Sequence, residues 1–263
     1  MSESGLAPVW TRLKSSGRKA LIPYLTAGYP TPSASAAALR SAAEVADIIE
    51  VGVPFSDPLA DGPTIQRSTF EALRQGMTLA GTLELIAKAE LARPVVVFSY
   101  LNPILQFGVD RFLRRAEELG IAGLLLTDLP AGSDPGVESA VQRSGVDLIR
   151  LVAPTTRAER LAVTLHGAQG FVYLVARLGV TGARQSLDVE LQDSVARVRK
   201  ATSLPLAVGF GISTPEQAHA VGRMADGVVV GSALVEILGR DGVGAARSFL
   251  DALRDALDRG DAP

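Results

Sequence analysis

DIIEVGVPFSDPLADGPTIQ, residues Asp47 to Gln66, holds one complete unit of the pattern on which the fold rests. Its first six residues form a short run rich in isoleucine and valine that stops at a glycine, the composition of a strand. The next ten are crowded with proline, aspartate and glycine, which restrict or bend the backbone and end regular structure. Along a strand successive side chains point to opposite faces, so Ile48, Glu50 and Gly52 share one face while Ile49 and Val51 take the other.

The same unit recurs in both directions. Strand-like runs are expected at Ala20 to Leu25, Asp47 to Gly52, Pro94 to Tyr100, Ala122 to Thr127, Asp147 to Val152, Gly170 to Val175, Pro205 to Val208 and Gly227 to Val230. Between them, stretches such as SASAAALRSAAEVA, VDRFLRRAEELG, PEQAHAVGRMA and AARSFLDALRDALD space their apolar residues by three and four, as amphipathic helices do. VVVF, LLL and VVV are apolar on both faces, which suits a parallel sheet covered on both sides. Eight such units favour a closed (β/α)₈ TIM barrel; an open doubly wound sheet shares the rhythm and is the structural alternative. The absence of a linker or low-complexity tract predicts a single domain over residues 1–263, with Leu6 to Ser15 as a leading helix beneath the barrel.

Composition narrows the functional classes. Apolar residues are 47% and charged residues 21% with a net charge of -2, so no basic surface calls for nucleic acid. With no cysteine, disulfides, thiolate metal sites and cysteine nucleophiles are excluded. His166 and His219 fall on expected helices without acidic partners at metal-ligand spacing, so no metal is expected. The N-terminus lacks the apolar core of a secretory signal and no long apolar run occurs, which predicts a soluble, cytoplasmic chain with no membrane partner.

In a barrel the active site lies at the carboxyl ends of the strands, which turns those ends into a search list. Glu50 would point into the mouth, where loss of hydration raises a carboxyl pKa toward the range useful for proton transfer; pairing with an arginine or lysine is the structural alternative. Asp57 and Asp61 follow in a shaped loop, and either could share acid-base work with Glu50 or serve as an ordinary turn residue. At the far end, AVGFGIS and VVVGSALV close the last two strands, so that Gly211, Gly231 and Ser232 could offer backbone N–H groups to a phosphate. Gly182, in the glycine-rich ARLGVTGARQSLD, would join them from a lid-like loop. Neither G-x-G-x-x-G nor a Walker motif is completed, so a dinucleotide or P-loop site is not expected.

The segment Glu50 to Gln66, EVGVPFSDPLADGPTIQ, closely resembles the signature of tryptophan synthase alpha subunits, and IPYLTAGYP before it and YLNPILQFG, LLLTDLP, GVTGAR, GFGIS and VGSALV after it stand in that family's order. The resemblance implies cofactor-free retro-aldol cleavage of indole-3-glycerol phosphate, with Glu50 as acid-base residue and Asp61 on the indole N–H. It also implies phosphate contacts from Gly182, Gly211, Gly231 and Ser232, a tyrosine at Tyr173 near the glutamate, and Phe210 between motif glycines. Tyr24, Phe98, Tyr100, Leu125 and Thr127 would line an apolar indole slot, and Thr181 would meet Asp61 when the sixth loop closes. Leu178 and Ala176 depart from the small polar residues common there. A pyridoxal-phosphate-dependent beta subunit in an αββα assembly is the implied partner, facing the loop of Asp57 and Pro58.

Overall fold

A computed structural model describes residues 5–175, 184–209 and 211–259. Among them, eight parallel strands close into a barrel in sequence order, and the open-sheet alternative falls away. The strands are β1 (Ala20–Thr26), β2 (Ile49–Gly52), β3 (Val95–Ser99), β4 (Ile121–Leu126), β5 (Asp147–Val152), β6 (Val172–Val175), β7 (Leu206–Gly209) and β8 (Gly227–Val230). Closure is made by β1 against β8, where Ala20 to Pro23 run in register with Gly227 to Val230. Each expected strand is present, with ends displaced by one or two residues.

Alternation within the strands divides the core in two. Ile22, Ile48, Val96, Leu125, Ile149, Ala207 and Val229 fill the barrel interior. Ile49, Val51, Val97, Leu124, Leu148 and Val208 face outward and pack under the helices. Both faces of each strand are thus dry, the condition that the continuous apolar runs anticipate. Glu50 belongs by position to the inner set, directly above Ile48.

The leading helix spans Ala7–Ser16 and closes the barrel bottom. Trp10 packs its ring 5.6 Å from that of Phe171, and a Cβ at Gly227 would press on the same indole, so a glycine there leaves room for the plug. Two further helices escape the periodicity argument: Leu79–Ala89 follows Pro63–Arg74 in the second unit, and Leu101–Phe107 precedes Val109–Glu118 in the third. In the helix Leu101–Phe107 the proline sits at the third position, where an N–H has no intrahelical partner to lose. The last helix, Ser232–Asp258, joins two segments across Gly242, whose φ of 82° only glycine adopts without strain.

Buried ion pairs fix the loops at the top. Arg150 on β5 meets Glu138 at 2.5 Å and donates to the carbonyl of Leu129, while Glu138 accepts from the N–H of Gly132. The loop after β4 is thereby tied down at two points. Asp128, at that strand's end, accepts from the N–H of Leu101 at 2.6 Å and so couples it to the loop after β3.

Candidate active site

Two recesses mark the ends of the barrel. The larger, about 640 Å³, lies at the bottom between the leading helix and residues such as Gln169, Pro205 and Asp226. Its arginines are already satisfied, Arg18 by Asp258 and Arg199 by Asp226. The smaller, about 270 Å³, opens at the carboxyl ends of the strands, and its lining includes Tyr24, Glu50, Asp61, Phe98 and Tyr173. The second holds the buried carboxyl of Glu50, without a hydrogen-bond partner among the described residues, and is the candidate site.

Glu50 is set by strand register: it stands beside Tyr24 of β1 and Val96 of β3. Its side chain is 0% exposed, and neither carboxyl oxygen has a hydrogen-bond partner among the described residues. An ionised carboxylate so placed would be prohibitively costly, so burial pushes the pKa up from 4.5 to about 8 and the group holds its proton at neutral pH. The structural alternative, an ion pair, is thus not realised at this residue. Asp61 is only half-buried; burial raises its carboxyl to about 6, against the Tyr100 hydroxyl, which favours the charged form. Two carboxyls therefore face one cavity with unequal proton affinities, an arrangement suited to one acid and one anion.

Two tyrosines wall the cavity around Glu50. Tyr24 meets the edge of Phe98, with ring centroids 5.2 Å apart, and burial raises the phenols of Tyr24 and Tyr173 above their ordinary values. Both hydroxyls rest against glycines, for a Cβ built at Gly52 would overlap the Tyr24 hydroxyl and one at Gly209 that of Tyr173. Gly52→Ala is therefore expected to displace Tyr24 and cost about 1–3 kcal/mol. Chemical denaturation would check it, with unchanged stability counting against the packing described.

The rest of the wall comes from the loops after β7 and β8, where Gly231 lies against Tyr24. Gly211, Ile212, Ser213, Gly231, Ser232 and Ala233 line it, and no lysine or arginine joins them among the described residues. The two helices that start here differ. Pro215–Gly222 uses a capping box in which Thr214 and Gln217 satisfy each other's backbone, and Gln217 also accepts from Ser213. Ser232–Asp258 starts at Gly231, which has no side chain to cap it, and its free N–H groups remain for a ligand. Such an end binds anions through backbone dipoles. Gly211, with φ of 90°, holds a backbone form that a side chain would strain.

The expected residues thus sort into groups. Glu50, Asp61, Tyr24, Phe98, Tyr173, Gly211, Gly231 and Ser232 converge on the cavity. Tyr100, Leu125 and Thr127 are not among its lining: Leu125 is deep in the interior, the Thr127 N–H bonds Ser99, and the Tyr100 hydroxyl accepts from the N–H of Ala60. Thr181, Gly182 and Phe210, like Ala176 and Leu178, lie outside the described residues. Asp57 is exposed and bonded by Ser56. His219 bonds the Ala256 carbonyl between helices, and no group of three potential metal ligands occurs among the described residues. Sequence reasoning missed Ile65, Ile212 and Glu236; the last lies four residues beyond Ser232, on the same helix face, and that spacing was the available signal.

Comparison with known proteins gives the family. A family model described as tryptophan synthase alpha chain matches residues 10–255. The chain is 46% identical over 239 residues to the tryptophan synthase alpha chain of Acidiphilium cryptum, covering 89% of this chain and 87% of that one. It is 43% identical over 261 residues to that of Rhizorhabdus wittichii, with 97% and 96% covered. Among solved structures, a chain of Mycobacterium tuberculosis tryptophan synthase superposes with a TM-score of 0.90 at 40% identity, covering 98% of this chain and 100% of that one.

Proposed function

The chain belongs to the tryptophan synthase alpha chain family, and from that premise we propose that it is a carbon–carbon lyase which splits indole-3-glycerol phosphate into indole and D-glyceraldehyde 3-phosphate. The observation that carries the proposal is the buried carboxyl of Glu50, protonated, facing a cavity and without a hydrogen-bond partner among the described residues.

The proposed chemistry needs only proton transfers. Glu50 delivers its proton to the third carbon of the indole ring, which places positive charge on the ring nitrogen. Asp61, as the anion, accepts a hydrogen bond from the ring N–H and stabilises that charge. The hydroxyl next to the scissile bond then returns a proton to Glu50. As the carbon–carbon bond breaks, its electron pair restores the aromatic ring and the hydroxyl oxygen becomes the aldehyde of the three-carbon product. Tyr24, Phe98 and Tyr173 supply an apolar slot for the ring, and the uncapped helix start at Gly231 and Ser232 takes the phosphate.

A beta subunit that uses pyridoxal phosphate and consumes the indole is the proposed partner, in an αββα assembly. The loop after β2 would face it, with Leu59 at its tip 93% exposed and Asp57 exposed nearby. No helix among the described residues is long and apolar enough to cross a membrane. The test is indole release from indole-3-glycerol phosphate by the purified chain, with and without a beta subunit. Slow release that rises strongly with the partner is expected; no release in either condition would defeat the proposal, and equally fast release alone would mark a free-standing lyase. Gly231→Val, whose side chain would press on that of Tyr24 and so displace the helix start, should raise the Michaelis constant about ten-fold or more through a lost charge-assisted hydrogen bond. An unchanged Michaelis constant would remove the phosphate from that wall.

A further inference from the structure

Resting on the lyase reading above, we propose that Tyr100 is a positioning residue which clasps the loop after β2 at both ends and thereby holds Asp61 at the cavity. Tyr100 follows β3 directly and is buried. Its ring lies 5.1 Å from that of Phe55, near the start of the loop, at an interplanar angle of 36°. Its hydroxyl accepts from the N–H of Ala60 at 2.9 Å, one residue before Asp61. The backbone bonds of Asp61 stay within the loop and the next helix: its N–H reaches the Pro58 carbonyl and its carbonyl accepts from Gln66. The clasp ties that self-bonded segment to a neighbouring strand, and it is itself anchored, because the adjacent Leu101 N–H is bonded to Asp128 beyond β4.

Since the Tyr100 oxygen accepts from Ala60, its proton is left to donate, and the Asp61 carboxylate lies beside it. Among the described residues, the other titratable groups that share the cavity with Asp61 are Tyr24 on β1, Glu50 on β2, Tyr173 on β6 and Glu236 on the last helix, none of them cationic. The hydroxyl of Tyr100 is accordingly a donor that favours the charged form of Asp61, and its loss should be visible as a titration.

The experiment compares Tyr100→Phe, which keeps the ring contact and removes the hydroxyl, with Tyr100→Leu, which removes both. Turnover is expected to fall about 10- to 100-fold in Tyr100→Phe with little change in the Michaelis constant, and further in Tyr100→Leu. The acidic limb of the pH profile should move upward, and Tyr100→Phe should add little on an Asp61→Asn background. Titration of the carboxyl carbon of Asp61 by NMR gives a readout independent of turnover, so inactive wild type would defeat the lyase reading while the clasp is still decided. Full turnover in Tyr100→Phe, a fall in turnover with no movement of the Asp61 titration, or effects that multiply fully with Asp61→Asn would each overturn the proposal.

Discussion

Replacing Glu50 by glutamine is expected to slow indole release by about 100- to 10,000-fold, the span that a positioned general acid contributes. The barrel should nevertheless fold, and its pH response should change in a defined sense. Unfolded, Glu50 loses its proton near 4.5; folded, it keeps the proton to about 8. Between those values the unfolded chain binds fewer protons, so the stability Glu50 lends is complete below the window and is lost as the pH rises through it. Glutamine cannot titrate, and the variant should gain on the wild type from pH 5 to pH 8 by on the order of a few kcal/mol. Urea unfolding followed by Trp10, the single tryptophan, would measure this. A gap that narrows with rising pH would mean that the carboxylate is charged and paired, and near-normal turnover would remove Glu50 from the chemistry.

Asp61→Asn is expected to have the next largest effect, about 100- to 1,000-fold on turnover, because it removes negative charge from the place where positive charge develops while keeping shape. Binding should change less, since the phosphate and ring contacts come from other residues. A variant that loses affinity with turnover intact would place Asp61 in ground-state binding instead. The two variants also separate the roles: the acid is lost in one and the counter-charge in the other, so their pH profiles should lose different limbs.

Much of this was legible along the chain because the barrel is a repeat of local rules. Short apolar or β-branched runs bounded by glycine, proline or aspartate marked all eight strands, and the period of two put Glu50 on the inner face with Ile48. The length and order of the motifs from Glu50 to VGSALV pointed to the family, since so specific a string leaves little room for an alternative. Less legible were the helices Leu79–Ala89 and Leu101–Phe107, one of which begins around a proline that normally signals an ending. Nor do strand ends tell which bonds their residues make: Tyr100 and Thr127 sit at such ends, and it is the fold that brings the Tyr100 hydroxyl to Ala60 and the Thr127 N–H to Ser99.

The sequence by itself determined the periodicities, hence the strands, the inward side of β2 and the residue types available at the mouth, because these follow from local backbone geometry. Only the tertiary structure decided that Glu50 has no partner, that Gly52 and Gly209 make room for two tyrosines, and that one of two adjacent helix starts is left uncapped. Those properties depend on which distant segments meet across the closed barrel, and solvation, which sets a carboxyl's proton affinity, is a property of that enclosure rather than of any stretch of chain.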